Sequence, residues 1–151
     1  MDDQVYTYKY PHPAVTCDCV VFRYEGGTWY TLLIERGNDP YKGCWAIPGG
    51  FLNMDEDAEQ GALRELEEET GLKLPHAVQF GAFTKVDRDP RGRTISIAYY
   101  TVTDKKEVSG CDDAAKAQWF PIDEIPTLAF DHDEMFKKAL ERFREDQQKN
   151  S

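Results

Sequence analysis

The sequence predicts an α+β sandwich, a mixed β-sheet with helices packed on its faces. Three observations predict it. Segments of strand character dominate the chain. Two segments carry a helical apolar period, one mid-chain and one near the C-terminus. The length of 151 residues, 40% of them hydrophobic, supports one core of ordinary size but not a second full domain.

Residues 1–13 are polar and aromatic, with Tyr6, Tyr8 and Tyr10 alternating before Pro11 and Pro13, and read as an extended N-terminal arm. Ala14 to Tyr24 is rich in β-branched residues and reads as a strand. Glu25-Gly26-Gly27 is a turn, and Thr28 to Arg36 returns as the second strand of a hairpin. Asn38-Asp39-Pro40 marks a loop. Cys44 to Ile47 reads as a short strand, cut off by Pro48-Gly49-Gly50.

Glu56 to Thr70 reads as a helix, with Ala62, Leu63 and Leu66 as its apolar stripe and Gly71 where a terminating glycine belongs. Gly61 weakens this helix by ~1 kcal/mol relative to Ala, which points to close packing there, against the sheet. Val78 to Val86 and Thr94 to Thr103 read as strands flanking a basic, turn-rich loop, and Ala117 to Phe120 as a short strand ended by Pro121. Asp131 to Asp146 reads as the second helix. Asp131 is the expected N-cap, Glu134 completes a capping box, and Phe136, Leu140 and Phe143 form the buried face. One domain is thus expected over residues 14–146, with 147–151 as a frayed tail.

Composition narrows the function. Eighteen basic against 28 acidic residues give a formal charge of −10, which argues against nonspecific binding to nucleic acid or anionic membranes. No apolar run has the ~20 residues of a membrane helix, and the acidic start Met1-Asp2-Asp3-Gln4 does not read as a secretory signal, so the cytoplasm is the expected compartment. The cysteines, Cys17, Cys19, Cys44 and Cys111, form no zinc-site spacing. Cys17 and Cys19 share one strand face and are expected to be buried and reduced.

The charge is unevenly placed. Between Gly50 and Leu72 eight acids face one base, so 23 residues hold −7. Glu65, Glu68 and Glu69 fall at i, i+3 and i+4 and project from one helix face. Their repulsion weakens the isolated helix. Three clustered glutamates alone are usually a solvated face; a hard divalent cation is the sharper reading, and oxygen-only ligands suit Mg²⁺ or Mn²⁺. Arg64, four residues before Glu68, can orient that carboxylate, and a carbonyl near the Gly49-Gly50 turn can add a ligand.

Gly50, Glu56, Arg64, Glu65, Leu66, Glu68, Glu69, Gly71 and Leu72 together read G-x5-E-x7-R-E-U-x-E-E-x-G-U, with U an aliphatic residue. This resembles the Nudix box, with no position departing. The stretches LLIERGNDPYKGCWAIPGGF, RDPRGRTISIAYY and WFPIDEIPTLAFDH resemble the ADP-ribose pyrophosphatase-like subgroup of that family.

The resemblance implies a Nudix fold and a Mg²⁺-dependent hydrolase, Mn²⁺ being an alternative metal, that cleaves the diphosphate of a nucleoside diphosphate linked to a further group. ADP-ribose, giving AMP and ribose 5-phosphate, is the leading substrate. It implies Glu65, Glu68, Glu69 and the Gly50 carbonyl as metal ligands, Arg64 holding Glu68, and Glu56 as partner of Arg64. Glu65 or Glu68 is the implied general base, with Asp87, Asp89 and Glu107 as alternatives outside the box.

Arg36, Arg91 and Arg93 are candidate phosphate or ribose contacts. His132 is either helix-start chemistry or a substrate contact. Tyr99, Tyr100 and Phe130 are core residues or base-stacking platforms. Tyr8 and Tyr10 could stack on a base or pack across a homodimer, which the resemblance permits. Pro90 stands eighteen residues beyond Leu72, displaced from the place about sixteen beyond the box where ADP-ribose hydrolases often carry a proline. Two other readings remain open to the sequence: a nucleoside triphosphate pyrophosphohydrolase, and a non-catalytic ADP-ribose sensor. The sensor is disfavoured by the charge, the intact glutamates and the short chain after Asp146, which leaves no room for a winged helix.

Overall fold

The computed structural model describes residues 5–110 and 114–150. Cys111 and residues 1–4 of the arm lie outside the described residues. Strand β1 (Ala14–Glu25) is the spine of the sheet. It runs parallel to β6 (Thr94–Val102) along its length. Its C-terminal end pairs antiparallel with β2 (Thr28–Arg36), and its N-terminal end pairs antiparallel with β4 (Gly49–Phe51). The sheet continues through β2 to β3 (Trp45–Ala46) and β7 (Ala114–Pro121), and through β6 to β5 (Val78–Phe83). Helices α1 (Ala58–Thr70) and α2 (His132–Lys149) belong to different cores.

The alternation of β1 sorts those cores. Cys17, Cys19 and Val21 pack with Ala62, Leu66 and Leu72 on the α1 side. Val20 and Phe22 pack with Met135, Phe136, Ala139 and Phe143 on the α2 side. A strand covered on both faces reads as a continuous apolar run. Burying each larger side chain contributes about 1.5–3 kcal/mol. Cys17 and Cys19 are fully buried thiols, and burial pushes both up to about 12. The mixed sheet sandwiched by two helices is the expected fold class.

Several boundaries differ from the sequence expectation. Pro48-Gly49-Gly50 does not end strand structure, because Gly49–Phe51 forms β4 against Asp18, Cys17 and Thr16. Helix α1 starts at Ala58 rather than Glu56: the Gln60 side chain accepts the Asp57 N–H at 2.9 Å and fixes Asp57 as N-cap. Gly61 packs on Leu52 and Glu56, not on the sheet. Strand β5 stops at Phe83, three residues short of Val86, and the next carbonyl, of Thr84, accepts from Arg93. Strand β7 begins at Ala114, because β2 supplies a partner that its Ala-Ala-Lys start gave no reason to expect.

Helix α2 runs to Lys149, three residues beyond Asp146. Asp131 holds the N-cap position but its side chain makes no cap bond. Both of its oxygens accept from the buried Arg88, at 2.9 and 2.7 Å, so the expected capping box is not formed. No helix among the described residues is long and apolar enough to cross a membrane.

Candidate active site

The register of β4 on β1 builds the site. Gly49 lies opposite Asp18 and Gly50 opposite Cys17, and α1 crosses directly above. A Cβ on Gly49 would collide with the Asp18 carboxylate, and one on Gly50 would lie 2.5 Å from the Glu65 carboxyl carbon. The missing side chain of Gly50 lets Glu65 settle onto the backbone, and that of Gly49 leaves room for Asp18. Glu69 accepts the Gly49 N–H at 2.8 Å and is 6% exposed, whereas the Glu68 side chain is 41% exposed.

Arg64 organises the carboxylates. Its Nη1 donates to Glu65 at 2.9 Å and to Glu68 at 2.7 Å. Its Nε donates to both Glu56 oxygens, at 3.0 and 2.9 Å, and its Nη2 to Glu56 at 2.7 Å and the Phe51 carbonyl at 3.1 Å. The sequence-predicted Glu56–Arg64–Glu68 chain is therefore present in the structure. The Arg64 bonds hold Glu56 below the ordinary carboxylate range. Burial pushes Glu65 up, against the pull of Arg64, and pushes Glu69 well up, against the Gly49 N–H.

The donor set decides what the patch can hold. Among the described residues no group of three His, Cys, Asp or Glu stands at metal-ligating spacing, and Arg64 Nη1 bridges Glu65 and Glu68. Yet carboxylates whose burial disfavours their charged form, beside a glycine backbone, are an oxygen-only set that fits a hard divalent cation.

A cleft of about 740 Å³ opens over this patch. That is ample for a nucleotide-sized ligand. Glu65, Glu68 and Glu69 line one side; Arg36, Arg91 and Phe51 also face it. Arg36 donates from Nε to the Pro40 carbonyl at 2.7 Å. Arg91 donates from Nε, Nη2 and its backbone N–H to Asp89 at 3.1, 2.8 and 2.9 Å. Burial alone would raise Asp89, but the Arg91 bonds outweigh it and hold this acid below its usual range.

Arg93 is not brought to the cleft: its Nη1 donates to the Thr84 carbonyl at 2.6 Å, on the exposed side of the loop. Asp87 and Glu107 are exposed and do not line the cleft. Tyr99 and Tyr100 are 5% and 6% exposed and belong to the two cores. Phe130 does reach the site, against Arg36 and Arg91. Tyr8 and Tyr10 line a separate groove of about 790 Å³ that shares only Phe51 with the cleft.

His132 is buried, and its Nδ1 accepts the Ile47 N–H at 3.0 Å. Burial pushes it down to about 3, so it is a neutral hydrogen-bond acceptor. Sequence reasoning missed Asp18. It lies beneath Gly49, is 5% exposed, accepts from Ser96 Oγ, and is pushed by burial up to about 7. One signal was available: a lone acid between two cysteines in an apolar strand.

Comparisons with known proteins give the chain a family. A family model described as NUDIX domain matches residues 12–140. The chain is 41% identical over 131 residues to an ADP-ribose pyrophosphatase of Methanocaldococcus jannaschii, covering 87% of this chain and 75% of that protein. It is 32% identical over 138 residues to the ADPR responsive transcriptional repressor NtrR of Acinetobacter baylyi, covering 88% of this chain and 55% of the repressor. Among solved structures, the NUDIX domain of Shewanella oneidensis NrtR complexed with ADP ribose superposes with a TM-score of 0.85 at 30% identity, covering 91% of this chain and 94% of that one. A bifunctional NMN adenylyltransferase/ADP ribose pyrophosphatase from Francisella tularensis, complexed with AMP and a manganese ion, gives 0.77 at 30% identity, covering 89% of this chain and 43% of the other.

Proposed function

The chain belongs to the NUDIX domain family, and from that premise we propose that it hydrolyses the diphosphate bridge of ADP-ribose to give AMP and ribose 5-phosphate. The observation that carries this reading is the cleft itself, where a carboxylate-lined helix face and two arginines meet over a glycine backbone.

Glu65, Glu68, Glu69 and the Gly50 carbonyl would hold a divalent cation, for which we propose Mg²⁺, with Mn²⁺ able to substitute. Such an ion, when bound, lowers the pKa of a coordinated water and neutralises diphosphate oxygens. The protein's own contribution is orientation and charge. Arg64 fixes the rotamer of Glu68 and draws charge from Glu65. Glu65 or Glu68 takes the proton of the attacking water as its oxygen bonds to phosphorus. The bridging P–O bond breaks and the departing phosphate takes its electron pair. Arg36 and Arg91, which line the same cleft, bind the phosphate oxygens. Asp89, held by Arg91, acts by orienting that arginine rather than as a base.

A small-molecule nucleotide is thus the proposed partner, in a cytoplasmic setting, with a homodimer as the proposed assembly. The test is a nucleotide panel with Mg²⁺, read by product. AMP with ribose 5-phosphate supports the proposal. Pyrophosphate release from nucleoside triphosphates, with ADP-ribose untouched, overturns the substrate assignment. No turnover of any nucleoside diphosphate derivative overturns the activity.

A further inference from the structure

We propose that Phe130 is a positioning residue that holds the Arg36 and Arg91 guanidinium groups as one cationic wall of the cleft that the glutamates also line; this rests on the diphosphate reading above. The guanidinium carbons lie 5.0 Å (Arg36) and 5.7 Å (Arg91) from the centre of the Phe130 ring. Phe51 meets Arg91 at 4.9 Å, and Tyr41 packs on Phe130 with ring centres 4.7 Å apart. The hydrogen bonds to Pro40 and Asp89 tether each guanidinium to one side. The ring supplies what those bonds do not, a shared surface that keeps both planes at the cleft.

Two backbone outliers point the same way. Phe130 has φ 55° and Tyr41 has φ 62°, the only non-glycine residues with positive φ among those described. Bulky residues avoid this region, and such conformations persist where the surroundings over-determine them, often at ligand sites. Here both outliers belong to one aromatic contact, and its Phe130 member lines the floor beside Arg36, Arg91, Gly49 and Gly50. The physics favours the role. Two like charges brought together repel, and an aromatic face attracts both. Without the ring each guanidinium loses one of the contacts that order it, more of that ordering falls to the substrate, and binding weakens. A diphosphate, anionic on both phosphorus centres, is the ligand that two such groups match.

The experiment is a mutant cycle read as kcat and KM for ADP-ribose. Binding of inorganic pyrophosphate, followed calorimetrically, gives a readout that does not need turnover. Phe130→Leu is expected to raise KM, and to weaken pyrophosphate binding, by about tenfold with kcat within about threefold. Phe130→Tyr, which keeps the ring, is expected to restore both to within about twofold and guards against a fold defect in the leucine variant. In an Arg36→Ala, Arg91→Ala background, Phe130→Leu should change KM by less than about twofold, because nothing remains for the ring to position. An unchanged KM in Phe130→Leu overturns the inference. So does an undiminished effect in the arginine-free background, which would mean that the ring touches substrate directly. If wild type binds pyrophosphate but turns over no nucleotide, the hydrolase reading fails while the calorimetric cycle still decides the role of Phe130. Absence of pyrophosphate binding by active wild type overturns the cationic wall and leaves the hydrolase reading standing.

Discussion

Glu68 and Glu69 are chain neighbours in opposite surroundings, one 41% exposed at its side chain and the other 6% exposed as a residue. The same loss of charge should therefore act differently at the two positions. Glu68→Gln is expected to lower kcat by about 10²–10³-fold while melting within about 2 °C of wild type, since it keeps an acceptor for Arg64. Glu69→Gln should lose activity comparably, yet melt no lower than wild type in a chelator, because it replaces a carboxyl group whose charged form burial disfavours and retains an acceptor for the Gly49 N–H. Melting curves beside steady-state rates check both. At this scale the sequence was most legible where spacing alone defines geometry. Arg64 and Glu68 meet because one turn of α1 separates them, whereas Glu56, which joins Arg64 from just ahead of the N-cap, was implied only by the resemblance. Arg93 was illegible, because the direction of a side chain leaving a loop depends on which carbonyl, here that of Thr84, the fold leaves within reach. Asp18 belongs to the same class: its place under Gly49 follows from the β1–β4 register, which no local pattern encodes.

At the scale of elements, two junctions fix how the helices meet the sheet. The C-terminus of α1 closes on Gly71, at φ 77°, whose N–H bonds the Glu67 carbonyl at 2.8 Å. Gly71→Ala should cost about 1 kcal/mol in chemical denaturation and leave KM unchanged, because the strain falls beyond the site. The start of α2 is tied through His132 to Ile47, in the link between β3 and the strand carrying the glycines. Burial depresses His132 from 6.5 to about 3, so the unfolded chain binds the extra proton between those values. The neutral imidazole therefore contributes stability that is present above pH ~6.5 and lost as pH falls towards ~3. His132→Asn, which can still accept the Ile47 N–H, should flatten that part of the melting temperature against pH curve; an unaltered slope would show that other groups set it. The period of each helix and the hairpin were readable because local propensity and burial agree there. The start of β7 and the strand nature of Gly49–Phe51 were not, since both depend on a partner strand distant in sequence. The Asp131 cap failed for a related reason: a tertiary partner, Arg88, won the carboxylate.

Across the whole molecule, the charge of −10 is gathered unevenly, and its densest region lines the cleft. A fold carrying buried, like-charged carboxylates gains stability from any cation that binds only the native state. At a hundredfold excess over its dissociation constant that gain is about 2.7 kcal/mol. Adding Mg²⁺ to chelator-treated protein is expected to raise the melting temperature by several degrees, and Glu69→Gln should abolish most of the rise. Calorimetric scans in matched ionic strength separate this from screening. Anomalous diffraction from crystals soaked in manganese is the most direct test of the central claim. The account predicts a single strong peak, or a close pair, bounded by Glu65, Glu68, Glu69 and the Gly50 carbonyl. Crystals that hydrolyse ADP-ribose yet show no anomalous density among those groups would contradict it.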